Sequence, residues 1–379
     1  MKILIASDVP QVKEAGGAGV VLNHARELRN RGHEVECWFL DDMLSPREQS
    51  RRFAALVFAW RIAKRIHSDP TKYDVVNLHG PSGCVYGVRR KIAGAGRTPP
   101  FVFTIQGIVE RYAHVMRREH RKGRAWHFGW KNRIWHRLYH QTLFTLAILT
   151  ADYGAASNRE AWIYPELVHD RDPGRIWYVP NGVEDVFFAA RRYETATPVR
   201  LLFVGTWLDR KGVYYLVDGF RILVQKGNAV ELTIAGSFSP EGEVKAFFPP
   251  ELQSRVRVLP LVTRDKMPAL YAEHDIFVFP SLMEGMPLAL LEAMAAGMPV
   301  ASTYNSGMAD VIEDRFNAVT IVDADAQDLA DAVEELCDSL QLRKELGEEA
   351  SRTMRRYTWA HVTGQLETVL LLAAGRKAR

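Results

Sequence analysis

The stretch Ile276-Phe-Val-Phe-Pro-Ser-Leu-Met-Glu284-Gly-Met-Pro-Leu-Ala-Leu-Leu-Glu292-Ala-Met-Ala-Ala-Gly297-Met-Pro-Val300 decides the fold. Its four leading apolar residues, stopped by a proline, read as a strand buried on both faces, and the loop that follows carries Glu284 and Gly285. Pro287 stands where a helix tolerates proline at its first position, and Gly297 ends that helix. Glu292 is the single charge in a helix that is otherwise apolar or small, so the helix is read as buried. A buried carboxylate is costly unless paired or hydrogen-bonded. Glu292 lies about 7–8 Å along the axis from Pro287, and helical side chains lean toward the N-terminus, so its carboxylate is expected to approach the loop of Glu284. Two carboxylates would then flank one helix N-terminus, where the backbone N–H groups of Met286 and Leu288 can bind an anion. Strand, loop, helix and the next strand from Pro299 form one βαβ unit.

Working outward, the same unit recurs. A strand over 2–7 leads through a loop with Gly16 and Gly17 to a helix over 19–31, stopped by Gly32, and to a strand over 35–40. Short apolar strands at 75–78, 101–105, 152–156 and 176–179 alternate with helical patterns, as a parallel sheet covered on both faces requires. Residues 184–198 carry little periodicity. The cycle then restarts with strands at 200–204, 231–235, 256–259, 276–279, 299–302 and 318–322, a helix over 213–225 and further helical patterns at 324–336, 342–356 and 359–374. The expected class is α/β, with one Rossmann-like domain over 1–184, a linker over 185–198, a second such domain over 199–358, and a last helix within 359–379. A chain of 379 residues is long enough for two such cores.

Composition excludes several classes. With 47% hydrophobic and 25% charged residues and no run of about 18 apolar residues, the chain reads as soluble and globular, without a membrane span. The apolar start breaks at Asp8 and is too short for a signal peptide, so a cytoplasmic location is expected. Cys37, Cys84 and Cys337 form no CxxC pair, which argues against disulfides and a zinc site. Lys211 closes a loop bounded by Gly205 and Gly212, where an ammonium can meet a diphosphate as a point charge, and Arg210 adds a fork of donors. Gly16 and Gly17 let backbone approach phosphate at a helix start. His79 sits at a strand end. The pairs Asp170/Asp172 and Asp323/Asp325 have the form of metal-binding Asp-x-Asp but lack the other parts of such a site and are read as loop residues. From 111 to 140 the cations Arg111, Arg117, Arg118, Arg121, Lys122, Arg124, Lys131, Arg133 and Arg137 face Glu119 alone, with Trp126, Trp130 and Trp135 interleaved. This composition suits an anionic membrane face. No nucleic-acid-binding signature accompanies it.

Glu284 and Glu292 at this spacing, the run Ala293-Met-Ala-Ala-Gly-Met-Pro-Val300 and the later Ser306-Gly-Met-Ala-Asp310 closely resemble the signature of glycosyltransferase family 4. The resemblance extends through Gly16-Gly17, Gly32-His-Glu-Val35, Pro180-Asn-Gly-Val183, Val204-Gly205, Arg210-Lys-Gly212 and Trp359. It implies a GT-B fold, two Rossmann-like domains facing across a cleft, with the last helix crossing back to the N-terminal domain. It also implies transfer of a hexosyl or N-acetylhexosaminyl group from a nucleoside-diphosphate sugar with retained configuration, without a metal or other cofactor, in cell-envelope polysaccharide or glycolipid synthesis. By the family pattern Glu284 takes the donor sugar's hydroxyls, Glu292 the ribose and Lys211 the pyrophosphate, with the base near Leu261-Val262. A uridine donor is favoured over a guanosine one by family usage. Two positions depart from that pattern. Thr206 stands where members often carry arginine, and Gln106 where they often carry histidine; an amide cannot act as a general base, which suits a front-face mechanism.

Two rivals share the fold. A nicotinamide-dependent dehydrogenase would have its Gly-rich turn directly after the first strand, whereas residues 8–15 intervene here. An inactive scaffold binding lipid or a protein partner would not require Glu284, Glu292 and Lys211 together.

Overall fold

In the computed structural model, which describes residues 1–12, 16–188, 193–194 and 197–375 with the side chains of Ala95 and Trp126 set aside, twelve strands form two sheets. The first contains β1 (Lys2–Ala6), β2 (Glu34–Trp38), β3 (Val75–His79), β4 (Phe101–Ile105), β5 (Tyr153–Ala156) and β6 (Ile176–Tyr178), in the order β2-β1-β3-β4-β5-β6. The second contains β7 (Val199–Val204), β8 (Val230–Ala235), β9 (Val256–Leu259), β10 (Ile276–Phe279), β11 (Val300–Thr303) and β12 (Val319–Ile321), in the order β12-β11-β10-β7-β8-β9. Every pairing is parallel. Both sheets are therefore doubly wound, as the recurring βαβ pattern implies.

The chain divides into two compact units. One comprises Met1–Ala113, His127–Gly182 and Trp359–Arg379, the other His114–Trp126 and Val183–Thr358. Of the segment read as a linker, residues 189–192 and 195–196 lie outside the described residues. Phe187 is buried in the second unit's core, and Tyr193 donates to the Gly297 carbonyl at 2.8 Å.

In the first unit, the helix Ala54–Ser68 lays Phe58, Ala59, Ile62, Ala63 and Ile66 on one face of the sheet. The last helix, Trp359–Ala373, covers the other face with Leu366, Val369 and Leu370, packed with Ile3, Ile5, Val75 and Val102. Burial of each such side chain stabilises by about 1.5–3 kcal/mol, which ties the end of the chain to its beginning. In the second unit, Val213–Gln225 and Ala326–Asp338 pack on one face, and Leu288–Ala295 with Ala350 and Met354 on the other.

Candidate active site

In a doubly wound sheet the crevice outside the carboxyl ends of the strands opens where the strand order reverses. In the second unit that point lies between β7 and β10, the neighbouring strands from which the chain winds outward in opposite directions. The loop after β7 carries Thr206, Arg210 and Lys211, and the loop after β10 carries Glu284 through Pro287. The two loops are knit together: the Leu282 N–H donates to the Arg210 carbonyl at 2.8 Å. Gly212, at φ +71°, passes so close to the end of β10 that a Cβ there would lie 1.9 Å from the Pro280 carbonyl oxygen. Only glycine fits that crossing.

This crossing puts the charges in contact. Glu284 Oε1 lies 2.6 Å from Lys211 Nζ and 2.9 Å from Arg210 Nη1, and accepts from Ser281 Oγ at 2.7 Å. Burial pushes the Glu284 carboxyl up, but the Arg210 and Lys211 charges and the Lys211 and Ser281 hydrogen bonds outweigh it and hold it at about 2. Burial draws the Lys211 ammonium below its ordinary value, against the pull of Glu284. The Lys211 ammonium also stands 5.2 Å above the Phe279 ring. Thr206 is partly buried in the same loop, and Thr303 Oγ1 anchors the Ser281 carbonyl at 2.5 Å. A buried carboxylate meets two cations beside a helix start whose N-cap, Pro287, makes no side-chain cap.

Glu292 takes other partners than the expected ones. The helix runs Leu288–Ala295 with Pro287 as its N-cap, one position before the helix, where the sequence had placed it in the first helical position. Glu292 Oε1 lies 2.5 Å from Arg264 Nη1, and Oε2 accepts from Tyr271 OH at 3.0 Å. Burial pushes this carboxyl up, against Arg264. Among the described residues, the cations that meet the two glutamates come from different loops. Arg264, which also stands 3.5 Å from Glu184, was not singled out in the sequence; its only signal is its place just after the expected base site. Leu261 there is 57% exposed, and Val262 packs against the core. Gly285 and Leu288 are partly buried, Met286 fully.

In the first unit the reversal lies between β1 and β3. Gly16 and Gly17 open the helix Gly16–Asn30, three residues earlier than periodicity implies, and a Cβ at Gly17 would lie 3.1 Å from Val9. His79 at the end of β3 is buried, with Nδ1 3.0 Å from Gln106 Nε2 and Nε2 2.9 Å from Asn77 Oδ1. Gln106 can only donate through that nitrogen, so Nδ1 accepts and Nε2–H donates. Burial lowers the His79 pKa to about 3, which keeps the ring neutral. Strand pairing explains the meeting: β3 and β4 are neighbours, with His79 opposite Thr104. Gln106 thus fixes a neutral histidine.

Three of the Asp-x-Asp carboxylates have partners. Asp325 accepts from the N–H groups of Gln327 and Asp328, Asp323 pairs with Arg118 at 2.6 Å, and Asp172 accepts from the Gly174 N–H. Asp170 ends its helix in the left-handed region at φ +49°. Among the described residues no three His, Cys, Asp or Glu side chains are grouped to hold a metal ion. Part of the basic segment is also engaged. Arg118, Lys122 and Arg124 meet Asp323, Tyr215 and Asp218, around a buried Glu119 that accepts from Tyr215 OH at 2.8 Å. Arg117, Arg121, Lys131, Arg133 and Arg137 remain exposed. No helix among the described residues is long and apolar enough to cross a membrane.

Comparison with known proteins agrees with this architecture. The family model described as Glycosyltransferase Family 4 matches residues 15–186, and that of Glycosyl transferases group 1 matches residues 198–339. The amylovoran biosynthesis glycosyltransferase AmsK of Erwinia amylovora is 36% identical over 140 residues, 35% of this chain and 34% of that protein. The chain thus matches between a third and a half of the length of such curated relatives. Sucrose-phosphate synthase from Thermosynechococcus elongatus superposes with a TM-score of 0.78 at 16% identity, covering 98% of this chain and 100% of that one. Anabaena HepE, solved in complex with UDP and glucose, superposes with a TM-score of 0.70 at 16% identity, covering 98% and 99%. The two doubly wound sheets are those of the GT-B fold, and the chain belongs to glycosyltransferase family 4.

Proposed function

We propose that the chain transfers a hexosyl or N-acetylhexosaminyl group from a nucleoside-diphosphate sugar, with uridine as the favoured base, to an acceptor hydroxyl with retained configuration. The observation that carries this reading is the meeting of Lys211, Arg210 and Glu284 at the strand-order reversal of the second unit. Lys211 and Arg210 take the diphosphate and neutralise the charge that builds as the glycosidic bond breaks. Glu284, ionised at any working pH, accepts from hydroxyls of the donor sugar, and Glu292 from the ribose. His79, whose two ring nitrogens are engaged by Gln106 and Asn77, and the amide of Gln106 do not take the acceptor's proton, which passes to the departing phosphate. Because the protein's cations supply the charge, no metal ion or other cofactor is required. The UDP and glucose bound by HepE support a uridine donor, and the amylovoran biosynthesis in the name of AmsK supports the exopolysaccharide side of our reading, exopolysaccharide or glycolipid synthesis. We place that work in the cytoplasm, at the inner face of a membrane reached through the basic region within 111–140.

Proton NMR of the first product released from UDP-α-hexoses, recorded before mutarotation and with EDTA present, tests the mechanism. The α-anomer is expected, at a rate unchanged by chelation. A β-product, or activity abolished by EDTA, would overturn retention or metal independence and return the Asp-x-Asp pairs to consideration.

A further inference from the structure

The helix Ala54–Ser68 is apolar on two sides. Its core face is buried, and the opposite face presents Leu56, Val57 and Trp60, continued by Phe53 at 52% exposure just before the helix. An ordinary surface helix is polar on that side. A second apolar row lies on the helical stretch that begins at Trp130: Trp130 at 66%, Ile134 at 51% and Leu138 at 69% exposure. The two rows join. The Phe53 ring lies 5.0 Å from Trp135 and 5.6 Å from Tyr139, and the Leu56 N–H donates to Tyr139 OH at 2.9 Å. Such a contiguous exposed patch marks a surface that something covers.

The charge around it selects the occupant. Arg51, Arg52, Lys64, Arg65, Lys131, Arg133 and Arg137 are all exposed, and there is no Asp or Glu from residue 49 to 68 or from 120 to 151. Three of these cations stand over the patch's own rings: Arg52 over Trp135 at 3.9 Å, Lys64 over Trp60 at 5.3 Å and Lys131 over Trp130 at 5.5 Å. Tryptophans at an apolar edge with cations beside them match the boundary between acyl chains and anionic headgroups. A second copy of the chain docked through the same face would bring two cationic rims together.

We propose that this two-helix face of the first unit enters the headgroup layer of an anionic bilayer. The inference deepens the peripheral-membrane part of the proposed function. It moves the contact from the whole 111–140 segment, three of whose cations are engaged within the second unit, to residues 51–65 together with 130–138.

Co-sedimentation of the full chain with phosphatidylcholine vesicles, with and without 30 mol% phosphatidylglycerol as a test composition (about a third anionic lipid), reads this directly. Binding should be at least about tenfold stronger to the anionic vesicles and weaken in high salt. Trp130→Ser/Leu138→Ser and Arg133→Glu/Arg137→Glu alter only exposed side chains, and each should lower the partition coefficient about tenfold or more with the melting temperature unchanged. Equal binding to both vesicles, undiminished binding of both variants, or a dimer in sedimentation velocity that the Trp130/Leu138 variant dissolves would overturn the proposal. UDP binding measured on the same samples separates the two readings: loss of vesicle binding alone removes the membrane face, and loss of UDP binding alone removes the transferase reading.

Discussion

Lys211→Ala is expected to lower kcat by about 10²–10³-fold, and not to raise KM alone. The reason lies in when the ammonium acts. A donor diphosphate already carries charge in the ground state, but the charge on its outer phosphate grows as the sugar departs, so Lys211 binds the transition state more strongly than the substrate. Its ammonium is buried, 2.6 Å from Glu284, in a loop that Gly212 locks against Pro280, so it is already positioned and pays little reorganisation. Glu284→Ala has an effect of the same order, since it removes the acceptor for the sugar hydroxyls and leaves Lys211 and Arg210 unpaired in a buried site. The pH profile gives a second readout. Burial holds the Lys211 pKa below its ordinary value, so the ammonium deprotonates, as pH rises, sooner than a solvated lysine. The alkaline limb of kcat should fall below the usual lysine range, and Lys211→Arg, which stays charged, should remove that limb.

Gly307→Ala is expected to lower stability and donor binding together. A Cβ at Gly307 would lie 1.5 Å from the Gly285 carbonyl oxygen, and the Gly307 N–H donates to the Glu284 carbonyl at 3.2 Å. No side chain can turn away from a backbone carbonyl, so the loop of Glu284 must shift. Overpacking of this kind costs about 1–3 kcal/mol. For a unit of this size each kcal/mol lowers Tm by roughly 2–4 °C. Differential scanning calorimetry with and without UDP measures both effects: Tm falls, and the further rise that UDP produces shrinks. An unchanged Tm would show that this loop is not held as described.

All twelve strands were legible in the sequence to within one or two residues, because the strands of a covered parallel sheet are mostly apolar, with charges such as Glu34, Arg200, Glu231 and Arg257 confined to exposed positions. Boundaries slipped where glycine hid the periodicity, as at Gly16. The loop pair carrying Lys211 and Glu284 was legible as motif and as chemistry, since each follows an apolar strand and precedes a helix. Partners were not. Glu292 announced itself as a buried charge, but that Arg264 answers it depends on the loop after β9 meeting the helix after β10, and Arg264 is marked only by following the expected base site. The same holds for Arg118 and Arg124, whose carboxylates lie about 200 and 100 residues further along the chain, respectively. Gln106 read as a missing base; the neighbouring strands made it the residue that fixes the His79 tautomer.

If the Lys211 and Glu284 loops hold a donor diphosphate, UDP binds there and leans on Lys211. Calorimetric titration of the chain with UDP, beside Lys211→Ala, tests it most directly. Saturable binding at one site is expected, weakened about tenfold or more in the variant, the scale of one lost charge-assisted hydrogen bond. No UDP binding by the parent chain, or equal affinity in the two proteins, would contradict it.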